Sequence, residues 1–290
     1  MPFTDVRSTP GVETRACQQS TIQMVSCDPA LYSSLTNNTT DSYIVQIARF
    51  DPSKGILDAV DAYKKFHDRL TTPTSPNTTD DNNKTPNKTK PPKLLVCGHG
   101  SVDDPDGSLI YDQVVSHIEE DIPHLRDQIC VMRLRPSDQV LNALLSKAKI
   151  ALQLSRREGF EIKVSEAAHK GKPVIATRAG GLPLQCRNGE SGFLVDVGDT
   201  DAVADCLYQL WTDEGLYERM SAYALAHVSD EVSTVGNGLN WLFLASELSR
   251  GERVVPNGAW VNDLAREGAG LGYDEEEPKL PREVEVENMG

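Results

Sequence analysis

Two glutamates, Glu158 and Glu166, stand eight positions apart in the run Ser155 to Pro173, SRREGFEIKVSEAAHKGKP. The run follows the apolar stretch KIALQL and precedes PVIAT. It therefore reads as the loop at a strand's carboxyl end with a helix behind it, Glu158 at the strand end and Glu166 about two turns along. Ligands of open α/β sheets bind at that edge, and the free N–H groups of a helix start there favour an anion. Such a glutamate pair taken alone more commonly marks a solvated helix face. Arg49 and Lys54 form a second candidate, because they follow another apolar run, SYIVQIARF, with Gly55 opening a helix. Two fixed cations in that position suit a phosphate.

Weaker signals lie nearby. Gly98-His99-Gly100 lacks the third glycine of a dinucleotide fingerprint, so it is read as a tight turn with His99 as a candidate phosphate contact. Gly180-Gly181 on its own reads as a simple loop. No His, Cys and carboxylate cluster has metal-site spacing, and neither a metal nor a cofactor is expected.

The elements that would position these residues are short apolar runs alternating with helical periodicity. SYIVQIARF, KLLVCG, ICVMRL, KIALQL and PVIAT are apolar on both faces, as strands covered by crossover helices must be, and GFLV at 192–195 reads as a further short strand. Ile56, Val60, Tyr63, Phe66 and Leu70 recur on one helical face, and Val140, Leu141, Leu144 and Leu145 on another. The fold class is α/β, a doubly wound parallel sheet. Asp199 suits the N-cap of a helix through AVADCLYQLW, a second helix is expected from Glu214 to His227, and a third from Glu231 to Ser249 packs back across the domain. The core domain is expected over 42–250. Residues 1–41 read as a poorly ordered extension and 71–92, TTPTSPNTTDDNNKTPNKTKPP, as a disordered insertion with nothing apolar to bury. Residues 251–290 read as an acidic, largely disordered tail, for from Asp263 onward nine acidic residues face three basic ones.

Across 290 residues, 43 Asp and Glu against 29 Lys and Arg leave a net charge of -14, which argues against nucleic acid as a partner. No stretch of about 18 apolar residues suits a membrane, and the first residues lack the apolar core of a secretory signal. A cytoplasmic location is expected, with the six cysteines as reduced thiols, three of them within apolar runs.

Glu158, Gly159, Phe160 and Glu166, followed by Gly171, Lys172 and Pro173, resemble the signature of the retaining glycosyltransferases of family 4. The resemblance covers roughly Ser42 to Ala245. It is strongest to the trehalose-acting branch, the fungal trehalose phosphorylases and related synthases, through IARFDPSKG, GHGSVDDPDG and AGGLP. It implies the Rossmann-like C-terminal half of a GT-B fold, which binds the sugar donor. It also implies hexosyl transfer with retention: trehalose and phosphate give α-glucose 1-phosphate and glucose. Arg49 and Lys54 would hold the donor phosphate, Glu158 would meet the transferred glucose, and Gly159, Phe160, Gly180 and Gly181 would line the donor. Glu166 matches a residue that grips ribose in nucleotide-sugar users, and Lys163 is a candidate extra anion contact. The alternatives are a nucleotide-sugar-dependent synthase and a non-catalytic sugar-phosphate-binding module. Only 41 residues precede Ser42, so the acceptor half is expected to be missing or supplied by another chain, including a second copy.

Overall fold

The computed structural model describes residues 42–72, 90–98, 106–134, 137–255, 258–274 and 277–280. The N-terminal extension, most of the insertion, His99 with much of the GHGSVDDPDG run, and the last ten residues lie outside them. Two compact units divide the chain at Lys149 and Ile150, within the span read from sequence as one domain.

The first unit alternates β1 (Tyr43–Ile47), α1 (Ile56–Thr71), β2 (Lys93–Gly98), α2 (Asp106–Glu120), β3 (Ile129–Arg133) and α3 (Asp138–Lys147). Its strands are parallel in the order β3-β2-β1, Tyr43 facing Lys93 and Leu94 facing Ile129. Every residue of β1 is buried, the burial on both faces that its unbroken apolar run requires. Ile56, Val60, Tyr63 and Phe66 form the buried face of α1, and the Tyr63 hydroxyl donates to the Pro92 carbonyl at 2.5 Å. Ser137 caps α3 by accepting from the Val140 N–H.

The second unit contains β4 (Ile150–Gln153), α4 (Ile162–Ala168), β5 (Val174–Thr177), α5 (Leu182–Gln185), β6 (Gly192–Val195), α6 (Thr200–Thr212) and α7 (Glu214–Ala226). Its strands are again parallel, in the order β4-β5-β6. Each unit thus contains a βαβαβ array, the half from which doubly wound folds are built. Asp199 caps α6 as its sequence position requires, accepting from the Ala202 N–H.

The C-terminal region departs from expectation twice. The helix expected from Glu231 is a 3-10 turn at Asp230–Val232, then α8 (Thr234–Ser249) capped by Ser233. A side chain on Gly236 would overlap the Asp230 carbonyl, so the break needs glycine there. α8 also keeps a large apolar surface exposed, with Trp241 and Leu242 each 72% accessible. The tail expected to be disordered forms α9 (Val261–Gly268). Its acidic composition hides an amphipathic turn: Asn262 and Ala265 are buried, and Asn262 bonds Asn240 of α8 at 3.0 Å. Arg266 then donates two 2.7 Å bonds to Glu277, whose segment ends with the Leu280 N–H donating to Glu231. Among the described residues no helix is long and apolar enough to cross a membrane.

One charged clamp joins two helices of the first unit. His117 of α2 places Nε2 at 2.8 Å from Asp61 of α1 and Nδ1 at 2.7 Å from Asp121. Only the imidazolium can donate both bonds. Burial opposes the charge, but the two carboxylates prevail and raise the His117 pKa above its ordinary 6.5. A raised folded-state pKa gives stability that is full below the ordinary value and is lost as pH rises through the raised one. The melting temperature of the chain should therefore fall over that interval by more than that of His117→Gln, compared in thermal melts across a pH series. Parallel curves for the two proteins would show that the clamp carries no net stability.

Candidate functional site

The second unit builds its candidate loop from the end of β4. Ser155 is fully buried; Thr177 of β5 donates to its carbonyl at 2.5 Å, and its own hydroxyl donates to Glu158 at 3.4 Å. Glu158 is half-buried, and its carbonyl accepts the Gly181 N–H at 3.1 Å. Gly180 has φ 54°, in the left-handed region, and a side chain on it would overlap the Glu158 carbonyl. A side chain on Gly181 would overlap the Gly159 carbonyl in the same way. These two glycines thus serve the fold itself, letting the 158–159 backbone pass over the turn after β5. Gly159 itself faces open space, and Phe160 is 46% exposed beside it.

Helix α4 is shorter and more closed at its start than its sequence implies. It has seven residues, and the Glu161 carboxylate accepts from the Lys163 N–H at 3.3 Å. The anion expected at this helix start is therefore already present as a side chain of the chain itself. Gln185 fastens the same turn, accepting from the Glu161 N–H at 2.9 Å and donating to the Glu161 carbonyl at 2.9 Å and Ser165 at 3.0 Å. One helical turn brings Lys163 and Glu166 together, with Nζ at 2.6 Å from Oε2. Burial lowers the pKa of Lys170, an effect that Glu166 offsets and Lys163 reinforces.

In the first unit the chain leaves β1 through a turn built around Asp51. The Asp51 carboxylate accepts from the Ser53 N–H at 2.7 Å and the Ser53 hydroxyl at 2.5 Å. These bonds, with smaller contributions from Arg49 and Lys54, hold its pKa below the usual value. Arg49 is exposed, whereas Lys54 is only 8% accessible. The buried Gln46 amide donates to the Lys54 carbonyl at 2.8 Å, and Phe50 packs edge-on against Tyr111 with centroids 5.2 Å apart. A side chain on Gly98 would overlap the Ala48 carbonyl, so here too glycine makes room for the loop after the preceding strand. Sequence reasoning missed Asp51 and Gln46, although Asp-Pro-Ser after a strand is a capped-turn signal. Among the described residues no group of three His, Cys, Asp or Glu side chains could hold a metal.

Comparison with known proteins adds the family context. The family model described as glycosyl transferases group 1 matches residues 30–227. The chain is 57% identical to a trehalose phosphorylase of Pleurotus pulmonarius over 83% of its own length and 31% of that protein. It is 33% identical to a trehalose synthase of Thermococcus litoralis over 58% of this chain and 35% of that one. The chain thus spans about a third of the length of these curated relatives. HepE of Anabaena, solved with UDP and glucose, superposes with a TM-score of 0.56 at 19% identity, over 76% of this chain and 53% of that one. The likeness establishes the GT-B type of fold.

The glycine geometry makes a paired prediction. Gly180→Ala should destabilise the second unit by about 1–3 kcal/mol, through the left-handed backbone and the displaced Glu158 carbonyl. Gly159→Ala, which meets nothing, should leave the unfolding free energy within about 0.5 kcal/mol of the parent. Equal effects of the two in urea titrations would remove the assigned role of Gly180.

Proposed function

The chain belongs to the group 1 glycosyl transferases, and from that membership we propose that it is the donor-binding part of a retaining trehalose phosphorylase. The observation that carries this reading is the 57% identity to a trehalose phosphorylase, against 33% to a trehalose synthase. In the proposed reaction a phosphate oxygen bonds to the anomeric carbon of one glucose on the face from which the other glucose departs. The glycosidic C–O bond breaks, and the departing oxygen takes the proton that phosphate gives up. The products are α-glucose 1-phosphate and glucose.

Such a displacement passes through a carbon with cationic character while negative charge is shared between two oxygens on one face. Arg49 and Lys54 hold the phosphate in this reading, cations already set in a turn fastened by Asp51 and Gln46. A preorganised charge costs no reorganisation as the attacking phosphate and the departing oxygen share their negative charge. Glu158, half-buried and oriented by Ser155, hydrogen-bonds the glucose hydroxyls and stabilises the cationic carbon. Phe160 offers an exposed apolar face for the sugar ring. HepE was solved with UDP and glucose, so transfer from a nucleotide sugar is the second reading.

The purified chain, titrated with glucose 1-phosphate in a calorimeter, should bind it. Arg49→Ala and Lys54→Ala should each weaken binding by about 1–3 kcal/mol, the scale of a charged hydrogen bond. Unchanged affinity in both variants would overturn the phosphate assignment. With an acceptor half present, Glu158→Gln should reduce glucose 1-phosphate release from trehalose while leaving the melting temperature in place. Tight binding of UDP-glucose with none of glucose 1-phosphate would select the nucleotide-sugar reading.

A further inference from the structure

We propose that Gln185 is a positioning residue for the sugar end of the donor site, an inference that rests on the reading of Glu158 and Phe160 as glucose contacts. Its amide fixes the far end of the loop that carries both. At the near end the Gly181 N–H donates to the Glu158 carbonyl at 3.1 Å. At the far end the Gln185 amide accepts from the Glu161 N–H at 2.9 Å and donates to the Glu161 carbonyl at 2.9 Å. The loop 158–161 is thus bracketed by the residue before α5 and the last residue of that helix.

The bracket matters because packing does not hold the middle of the loop. Gly159 faces open space, Phe160 is 46% exposed, and Ile162 at the start of α4 is 52% exposed. The short helix α5 is anchored where the loop is not. Leu182 is fully buried, Cys186 just beyond Gln185 is 2% accessible, and the Cys186 N–H closes the turn on the Leu182 carbonyl at 3.1 Å. Gln185 therefore carries the fixed position of buried residues over to an exposed loop. A carboxamide suits the task because it accepts from the N–H while donating to the carbonyl and, at 3.0 Å, to the Ser165 hydroxyl. A carboxylate of the same shape has no donor to offer.

Loss of this side chain need not cost the fold. Gln185 and Ser165 line a cleft of about 40 Å³ together with Leu184, Arg187 and Tyr223, which has room for a few waters. Water entering there can take up the bonds that Glu161 and Ser165 lose. It cannot tie the loop to α5, so a ligand that needs the loop in place must order it on binding. Gln185 acts in this way through the loop and not on the sugar itself.

The test titrates the full chain with glucose 1-phosphate in a calorimeter as the parent, Gln185→Leu and Gln185→Glu, with thermal melts and hydrogen exchange read by mass spectrometry on the same proteins. Both variants should bind at least about tenfold more weakly, the scale of ordering one further backbone residue. Their melting temperatures should fall by no more than about 4 °C. Amides of 156–163 should exchange faster than in the parent, and those of β5 at the parent's rate. A glutamine that only supports the fold would lower the melting temperature further and speed exchange throughout the second unit. That outcome, unmoved exchange in 156–163, or parent-like affinity in either variant overturns the positioning role and leaves the donor reading standing. A parent that does not bind glucose 1-phosphate overturns the donor reading, and the positioning role with it.

Discussion

Everything in the candidate loops depends on backbone passing directly over backbone, with no side chain between. After β1 the chain turns across the end of β2, where Gly98 leaves room for the Ala48 carbonyl. After β4 it turns across the residues following β5, where Gly180 and Gly181 leave room for the carbonyls of Glu158 and Gly159. Each βαβαβ half therefore uses the same device: glycine at the end of its second strand or just after it admits the loop from its first. That loop is the one bearing candidate chemistry, Arg49 and Lys54 in one half and Glu158 in the other. The polar ends of the strands then hold the loops in place. Gln46 bonds the Lys54 carbonyl, and Thr177 bonds that of Ser155.

The charges of these loops come with their own counter-ions. Arg49 and Lys54 act on the charge of Asp51, whose carboxylate is bound to Ser53, and Glu166 is paired with Lys163 at one turn's distance. A cation with a fixed partner keeps its position in the free protein, so a ligand need not supply the entropy of ordering it. The arrangement also limits how tightly an anion can bind at Lys163, whose charge is shared with Glu166. A transfer enzyme that must release its product gains from both properties.

Much of this architecture is legible in the residue order, and the reason is burial. All six apolar runs form strands, β1 to β5 almost wholly buried and β6 with Phe193 and Leu194 half-buried, and α1 puts Ile56, Val60, Tyr63 and Phe66 inward as their spacing requires. What the order conceals is contact through space. Gly180 and Gly181 read equally well as a ligand-facing loop, since nothing local reveals that the 158–159 backbone lies against them. The start of α4 reads as an anion site, yet its own neighbour, Glu161, fills that role. In the tail, abundant acids outweigh the short amphipathic stretch around Asn262 and Ala265, which hides α9 from a reading of composition. The pairing of Lys163 with Glu166 follows from a three-residue spacing once the helix start is known.

The thiols give each half its own marker. Cys97 and Cys130 lie buried on β2 and β3, and Cys186 is buried just after α5 in the other unit. Burial drives the Cys186 pKa up to about 12, which leaves almost no thiolate at neutral pH while the fold is closed. Alkylation at these positions must wait for the sheet around them to open, so its rate counts opening events. Peptide mapping after timed exposure to an alkylating reagent would assign those events to one βαβαβ half or the other without any engineered label.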